Sequence, residues 1–266
     1  RPRGLIHCAP APASPNCGHL SAVWSKALSE QTNSNGQPIG QPQPDWTPRP
    51  HPPKTPIDGR FCRIAPFDID AHADDLFEAF ALNTSGANWT YLGYEPTDTV
   101  AGLRKIMAAG WQGEDPLFHT IIDKATDKPV GVAALMRIDK ANGAIEVGNI
   151  HYSEHLKQRP AATEAMFLLM RRVFKELGYR RYEWKCDSLN APSRAAAARL
   201  GFSYEGLFRQ AVVYKGRNRD TTWFSIIDDE WPALESAYEA WLSPDNIGAD
   251  GQQKQRLQAL IQAHKG

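Results

Sequence analysis

The sequence predicts an α/β (α+β) fold: a mixed, mostly antiparallel central sheet of about seven strands with helices on both faces. Three observations carry this reading. Three strand-like runs between 117 and 152 follow one another across short turns, which is an antiparallel meander. The segment from Ala144 to Cys186 then runs strand, long helix, strand, the pattern of a single β-α-β unit. Finally, Pro160 and Gly178 bracket the long helix in the preferred order of proline at the start and glycine just past the end.

In chain order, 60–66 (Arg-Phe-Cys-Arg-Ile-Ala-Pro) reads as a first strand. A short helix follows in which Ala73, Leu76, Phe77, Phe80 and Leu82 form an apolar stripe. Asn88 to Tyr94 has aromatics without a clean period and is expected to be a loop or half-turn. Asp98 is expected to cap a second helix through about Ala109, with Val100, Leu103, Ile106 and Met107 on one face. The meander strands are Leu117 to Asp123, Val130 to Ile138 and Ala144 to Tyr152. The long helix runs from Pro160 to Leu177, and a strand covers Arg181 to Cys186. Asn190 caps an alanine-rich helix that Gly201 ends, its Ala195 to Ala198 suited to close packing on a sheet. Strands at 203–214 and 221–227 are joined by Lys215-Gly-Arg-Asn-Arg. Beyond Trp231, Leu234, Tyr238, Trp241, Leu257, Leu260 and Ile261 suggest one or two peripheral helices without chemistry of their own.

This order divides the 266 residues into a Pro/Ser/Gln-rich segment over 1–56 expected to be disordered, one domain over 57–232, and a helical tail over 233–266. Lys plus Arg balances Asp plus Glu at 30 each, so the chain carries no overall attraction for nucleic acid or an anionic membrane. No run of 18 apolar residues is present, and a cytoplasmic location is expected. Cys62 and Cys186 read as small buried thiols, Cys8 and Cys17 fall in the first segment, and no cysteine spacing suits a metal.

Ala162-Thr-Glu-Ala on the long helix, Asn190-Ala-Pro-Ser193 and Leu200-Gly-Phe-Ser-Tyr-Glu-Gly206 resemble the GCN5-related N-acetyltransferase (GNAT) superfamily. Within it, the chain is most similar to the branch typified by ribosomal-protein N-terminal acetyltransferases. The resemblance covers about Gly59 to Trp231. It implies an acyltransferase that moves acetyl from acetyl-CoA to a primary amine by direct attack: a protein N-terminus, a polyamine or another small amine. No metal or nucleic acid takes part in that expectation. Monomer and homodimer both remain open, and a non-catalytic acyl-CoA-binding protein of the same fold is the alternative.

The resemblance also implies a site. The pyrophosphate would lie on the start of the long helix, where unsatisfied N–H groups and the helix dipole converge, with Lys157, Gln158, Arg159, Ala161, Ala162 and Thr163 on that loop. Pro160 stands where the family usually has glycine and has no N–H to donate. Backbone of Val147, Gly148, Asn149 and Ile150 would pair with the pantetheine and polarise the acetyl carbonyl. Asn190 would hold the pantetheine arm, and Ser193 would lie near the sulfur. An ammonium must lose a proton before it attacks a thioester, so a base is needed. Glu205 is the leading candidate by resemblance and Glu146 the second, while His151 is the sort of lone strand histidine that is more often structural. For the acceptor, Trp89, Tyr91 and Tyr94 would roof the cleft, and Arg209, Tyr214 and Asp220 would wall it. Trp89 reads equally well as a core plug.

Overall fold

The structure, a computed structural model, describes residues 31–248 and 252–265. The described residues fall into two compact units that divide between Thr47 and Pro48. In the first, the Asn33 carboxamide accepts from the amides of Asn35 and Gln37, closing a small turn. Of the 1–56 segment expected to be disordered, residues 1–30, Cys8 and Cys17 among them, lie outside the described set, while 31–56 are described. The second unit begins at Pro48, eight residues before the expected boundary at 56. The reason is visible in its contacts: Tyr179 donates to the carbonyl of Pro50 at 3.0 Å, and the buried Arg172 guanidinium donates to the Thr55 carbonyl at 2.7 Å.

The sheet has eight strands: β1 (Ile57–Asp58), β2 (Cys62–Pro66), β3 (Leu117–Asp123), β4 (Lys128–Asp139), β5 (Ala144–Tyr152), β6 (Arg181–Asp187), β7 (Ser203–Tyr214) and β8 (Arg217–Ile227). Their spatial order is β1-β2-β3-β4-β5-β6-β8-β7, and only β5 and β6 run parallel. This is the mixed, mostly antiparallel sheet that the sequence predicts, with the two-residue β1 added. The parallel pair is the place where a helical crossover interrupts the meander.

Helices cover both faces. On one, α1 (Ile69–Ala81) and α2 (Val100–Gly110) bury Ala73, Leu76, Phe80, Leu103 and Met107 with Trp89 against Phe118, Val132 and Ala134. On the other, α3 (Pro160–Arg171), α4 (Ala191–Arg199), α5 (Trp231–Leu242) and α6 (Leu257–Lys265) join the larger core around Ile145, Val147, Tyr182 and Ile226.

Several local expectations are corrected. Thr99, not Asp98, caps α2, its hydroxyl accepting from the Gly102 amide at 3.1 Å. The long helix changes to a π-helical turn over Arg172–Glu176, which coincides with the burial of Arg172 against Thr55 and Pro56. Leu82 ends exposed beyond α1. The hairpin after β7 is only Lys215-Gly216, both at positive φ, so β8 starts four residues earlier than the alternation suggests.

The C-terminal helices are more than a periphery. Leu234, Tyr238 and Trp241 on α5 and Leu257, Leu260 and Ile261 on α6 complete the main core, and Tyr238 donates to the Leu200 carbonyl at 2.9 Å. Gly201 permits that closure: at φ +94° it adopts a conformation that L side chains avoid, and a Cβ there would stand 2.7 Å from the Leu234 side chain. No helix among the described residues is long and apolar enough to cross a membrane.

Candidate active site

The sheet opens into a fork between its two parallel strands. β5 pairs with β6 from Ala144↔Arg181 to Val147↔Trp184 and no further, although both strands continue. The cause lies on the far side of β5. Ala134 opposes Gly148 and Val132 opposes His151, so Asn149 and Ile150 together face Ala133 in a bulge, with Asn149 at φ +48°. The bulge bends β5 away from β6 and leaves the backbone of Gly148, Asn149 and Ile150 on an open inner edge. Val147 itself stays in the core, its side chain 1% exposed. A Cβ on Gly148 would sit 2.5 Å from the Met136 sulfur, so this turn of the bulge is tight as well as open.

Two helix starts flank the fork. α4 begins below β6, where Asn190 accepts from the Ser193 amide at 3.1 Å, the cap read from sequence, leaving the Asn190 amide hydrogens available. The Ser193 hydroxyl accepts from the indole N–H of Trp184 at 3.0 Å, and Trp184 stands on the last paired rung. α3 begins after the 153–159 loop. There Ser153 is clamped to Val130 through both its amide and its hydroxyl, and Gln158 at φ +58° turns the chain into the helix. Gln158 and Arg159 are exposed, Ala161 and Thr163 are buried, and the Ala162 amide is spent on the Arg159 carbonyl. Thr163 is anchored by Arg199 at 3.0 Å. Lys157 differs from the expectation: its ammonium is held by Glu154 at 2.7 Å and by the Asn88 carboxamide, so its charge serves the loop's own packing. The neighbouring Glu164 is structural, its buried carboxylate accepting from the amides of Arg60, Phe61 and Cys62 at 2.6–2.8 Å.

The two carboxylate candidates part company here. Both stand on one face of the sheet, in a chain of ion pairs that the alternation of Arg181, Glu183, Lys185 and Asp187 on β6 makes possible. Glu146 is 2% exposed and lies between Arg137 at 2.7 Å and Lys185 at 3.0 Å. Lys185 in turn meets Glu183 at 2.6 Å and lies 3.8 Å from the Trp223 ring centre. Glu146 reaches the fork: its Oε1 lies 3.3 Å from where a Gly148 Cβ would be. Glu205 instead clasps Arg181 with both oxygens, at 2.8 and 2.5 Å, and accepts from Ser225 at 2.7 Å. The Arg181 guanidinium holds the Glu205 carboxyl below the ordinary carboxylate range, the opposite of the upward shift that suits a base near neutrality. Arg181 is also three residues before the last rung of the fork, roughly 10 Å along the strand. The position favoured by resemblance is therefore a brace between β7 and β6.

His151 is no base for the cleft either. Its ring is 2% exposed, stacked on Phe80 at 3.7 Å and edge-on to Trp89 at 4.6 Å, and burial with the nearby Lys157 charge pushes it down to about 3. Trp89 belongs to the same aromatic cluster and is a core plug. Tyr94 packs against it at 5.8 Å with its hydroxyl buried. The contact that does reach across is Tyr91, which donates to the Leu189 carbonyl at 3.0 Å. From the hairpin, Tyr214 donates to Asp187 at 2.8 Å, and Lys215 reaches the Trp89 carbonyl at 2.8 Å. The loop after α1, the turn after β6 and the hairpin tip are thus latched together. The Asp220 carbonyl accepts from the Ser188 amide in the turn after β6 at 2.8 Å, while its side chain and Arg209 line, with Gln210 and Asn218, an open polar depression of about 610 Å³. Asp220 there accepts from the Gln210 amide and the Asn218 side chain.

Trp184, Arg181, Lys185, Asp187 and Lys215 escaped the sequence reading. The period-two pattern of 181–187 was the available signal for the β6 residues. What it could not supply was the partner across the sheet.

Residues 63–203 match the family model described as acetyltransferase (GNAT) domain. A solved GCN5-related N-acetyltransferase from Brucella melitensis is 50% identical, superposes with a TM-score of 0.80, and covers 82% of this chain and 99% of its own. A structure described as a probable acetyltransferase of the GNAT family, from Chromobacterium violaceum, is 38% identical with a TM-score of 0.69, over 74% of this chain and 98% of its own. Among curated proteins, one described as uncharacterized N-acetyltransferase p20, of Bacillus licheniformis, is 34% identical over 112 residues, 42% of this chain; the chain spans 62% of that relative's length.

Proposed function

This chain belongs to the GNAT acetyltransferase family, and from that premise we propose that it transfers acetyl from acetyl-CoA directly to a primary amine. The observation that carries the reading is the fork: an inner strand edge at Gly148–Ile150, opened by the Asn149 bulge and faced by Asn190 and Ser193 at the start of α4.

The open edge offers backbone donors and acceptors to the amide-bearing pantetheine arm, as an added strand would. The α3 start takes the pyrophosphate through its remaining N–H groups and the exposed Arg159. A donor on the bulged backbone polarises the acetyl carbonyl as charge develops on its oxygen. Glu146 is the carboxylate that reaches this point: Arg137 and Lys185 both hold its Oε2, whereas Arg181 engages both oxygens of Glu205, and the Oε1 turned to Gly148 takes the amine's proton directly or across one water. Ser193 hydrogen-bonds the departing sulfur; a thiol of pKa about 8.5 leaves with only that help. Protein N-termini, polyamines and other small amines are the acceptor classes, entering beneath the latch made by Tyr91, Asp187, Tyr214 and Lys215.

A second reading, a non-catalytic acyl-CoA-binding protein, draws on Pro160 and on the engagement of Lys157 by Glu154 and Asn88. Calorimetric titration of acetyl-CoA into the full chain, followed by CoA release with a panel of amines, separates the two. Micromolar binding with amine-dependent release supports the enzyme, binding without release the second reading. No binding at all removes both.

A further inference from the structure

The geometry points to Trp184 as a positioning residue for loss of the thiol: its indole N–H orients the Ser193 hydroxyl so that the hydroxyl's own hydrogen is directed to the sulfur. This rests on the acetyl-transfer reading above.

An indole N–H is a donor only, whereas a serine hydroxyl has one hydrogen and two lone pairs. In the 3.0 Å contact between Trp184 Nε1 and Ser193 Oγ, serine is therefore the acceptor, and its single hydrogen remains for another partner. Neither group is free to drift. Trp184 is 6% exposed, sits on the last rung of the fork opposite Val147, and lies edge-on to Phe202 with ring centres 5.6 Å apart. The Ser193 backbone is pinned by the hydrogen bond its N–H donates to Asn190 Oδ1 at 3.1 Å. Both ends of the contact are thus fixed by the elements that form the fork. A hydroxyl that accepts one hydrogen bond is polarised into a stronger donor for the next.

The step balances as follows. The amine nitrogen forms its bond to the acetyl carbon while the carbon–sulfur bond breaks, and the electron pair of that bond stays on sulfur. The thiolate accepts an O–H···S hydrogen bond from Ser193. Serine keeps its proton, because an alkoxide is far more basic than a thiolate. The proton released by the amine passes to the base and, through solvent, neutralises the thiolate once it has left.

The test is a double-mutant cycle on the full chain: kcat for amine-dependent CoA release by wild type, Trp184→Phe, Ser193→Ala and the double variant. Phenylalanine keeps an aromatic ring against Phe202 and removes the N–H. Expected are a roughly tenfold fall in kcat for Trp184→Phe with KM for acetyl-CoA within about twofold, and less than a twofold further effect of Trp184→Phe in the Ser193→Ala background. Losses that multiply in the double variant, or an unchanged kcat in Trp184→Phe, overturn the proposal. If Trp184→Phe does not fold, the indole N–H resonance of Trp184 is followed by NMR in Ser193→Ala. Faster solvent exchange of that proton is expected, and an unmoved resonance with unchanged exchange overturns the proposal. A wild type that binds acetyl-CoA but releases none with any amine overturns the transfer reading and this role with it, an outcome seen before any substitution is made.

Discussion

Replacing His151 by phenylalanine separates a structural histidine from a catalytic one and has a magnitude that follows from its surroundings. The ring lies flat on Phe80 at 3.7 Å, with an interplanar angle of 4°, and edge-on to Trp89; neither ring nitrogen has a hydrogen-bond partner among the described residues. Burial first, and the Lys157 charge second, hold its pKa at about 3 in the folded protein against the usual 6.5. The unfolded chain therefore binds a proton below pH 6.5 that the folded chain refuses until about pH 3. Stability from this group is complete above pH 6.5 and falls by about 1.4 kcal/mol for each unit of acidification between the two values. At pH 5 the loss is about 2 kcal/mol, while at pH 7 it is about 0.2 kcal/mol. His119 is buried likewise and pushed down to about 4, but it is present in both proteins and cancels. His151→Phe is thus expected to gain about 2 kcal/mol relative to wild type between pH 7 and pH 5, beyond any gain at pH 7 from removing two unpaired polar atoms. Urea unfolding at pH 7, 6 and 5 reads this directly, and kcat at pH 7 should be unchanged within about twofold. Parallel stability–pH curves for the two proteins would refute the linkage argument. Loss of turnover in a folded variant would return His151 to the chemistry.

Glu146→Gln is expected to lower kcat by about two orders of magnitude at pH 7, whereas Glu205→Gln leaves kcat within about tenfold. Its cost appears instead in acid stability: the Arg181 pairing is fully present above the unfolded carboxylate pKa near 4.3 and is lost as pH falls through the lower folded value, so the variant loses the wild type's steepening below pH 4.5 in a denaturant series. Pro160→Ala restores one N–H at the start of α3 and is expected to tighten acetyl-CoA binding about three- to tenfold by calorimetry; unchanged affinity would mean that the phosphates do not use this turn. Glu164→Ala abandons three backbone N–H groups of β2 and the residues before it, a loss of about 3–5 kcal/mol measured by chemical denaturation. Lys215→Met frees the hairpin tip from the Trp89 carbonyl and is expected to raise KM for the acceptor several-fold with little change in KM for acetyl-CoA.

Much of this protein was legible in its sequence because the relevant forces are local. Alternation and turn residues placed β3 and β5 at their observed bounds, and Asn190 could be named as a cap because capping acts between residues three apart. The family resemblance likewise rests on short contiguous motifs, so the acetyltransferase fold and the α4 start could be read from the sequence alone. Whether a carboxylate faces a cation was not local. Glu205 and Glu146 are equivalent as letters, and only the register of β6 against β5 and β8 hands Arg181 to the first and aims the second at Gly148. The same holds for Trp89 and His151, whose aromatic character is visible at once but whose burial depends on how the loop after α1 folds back over β5. The fork itself is the clearest case. It arises from two residues of β5 opposing one of β4, a mismatch between strands that no single stretch of chain contains.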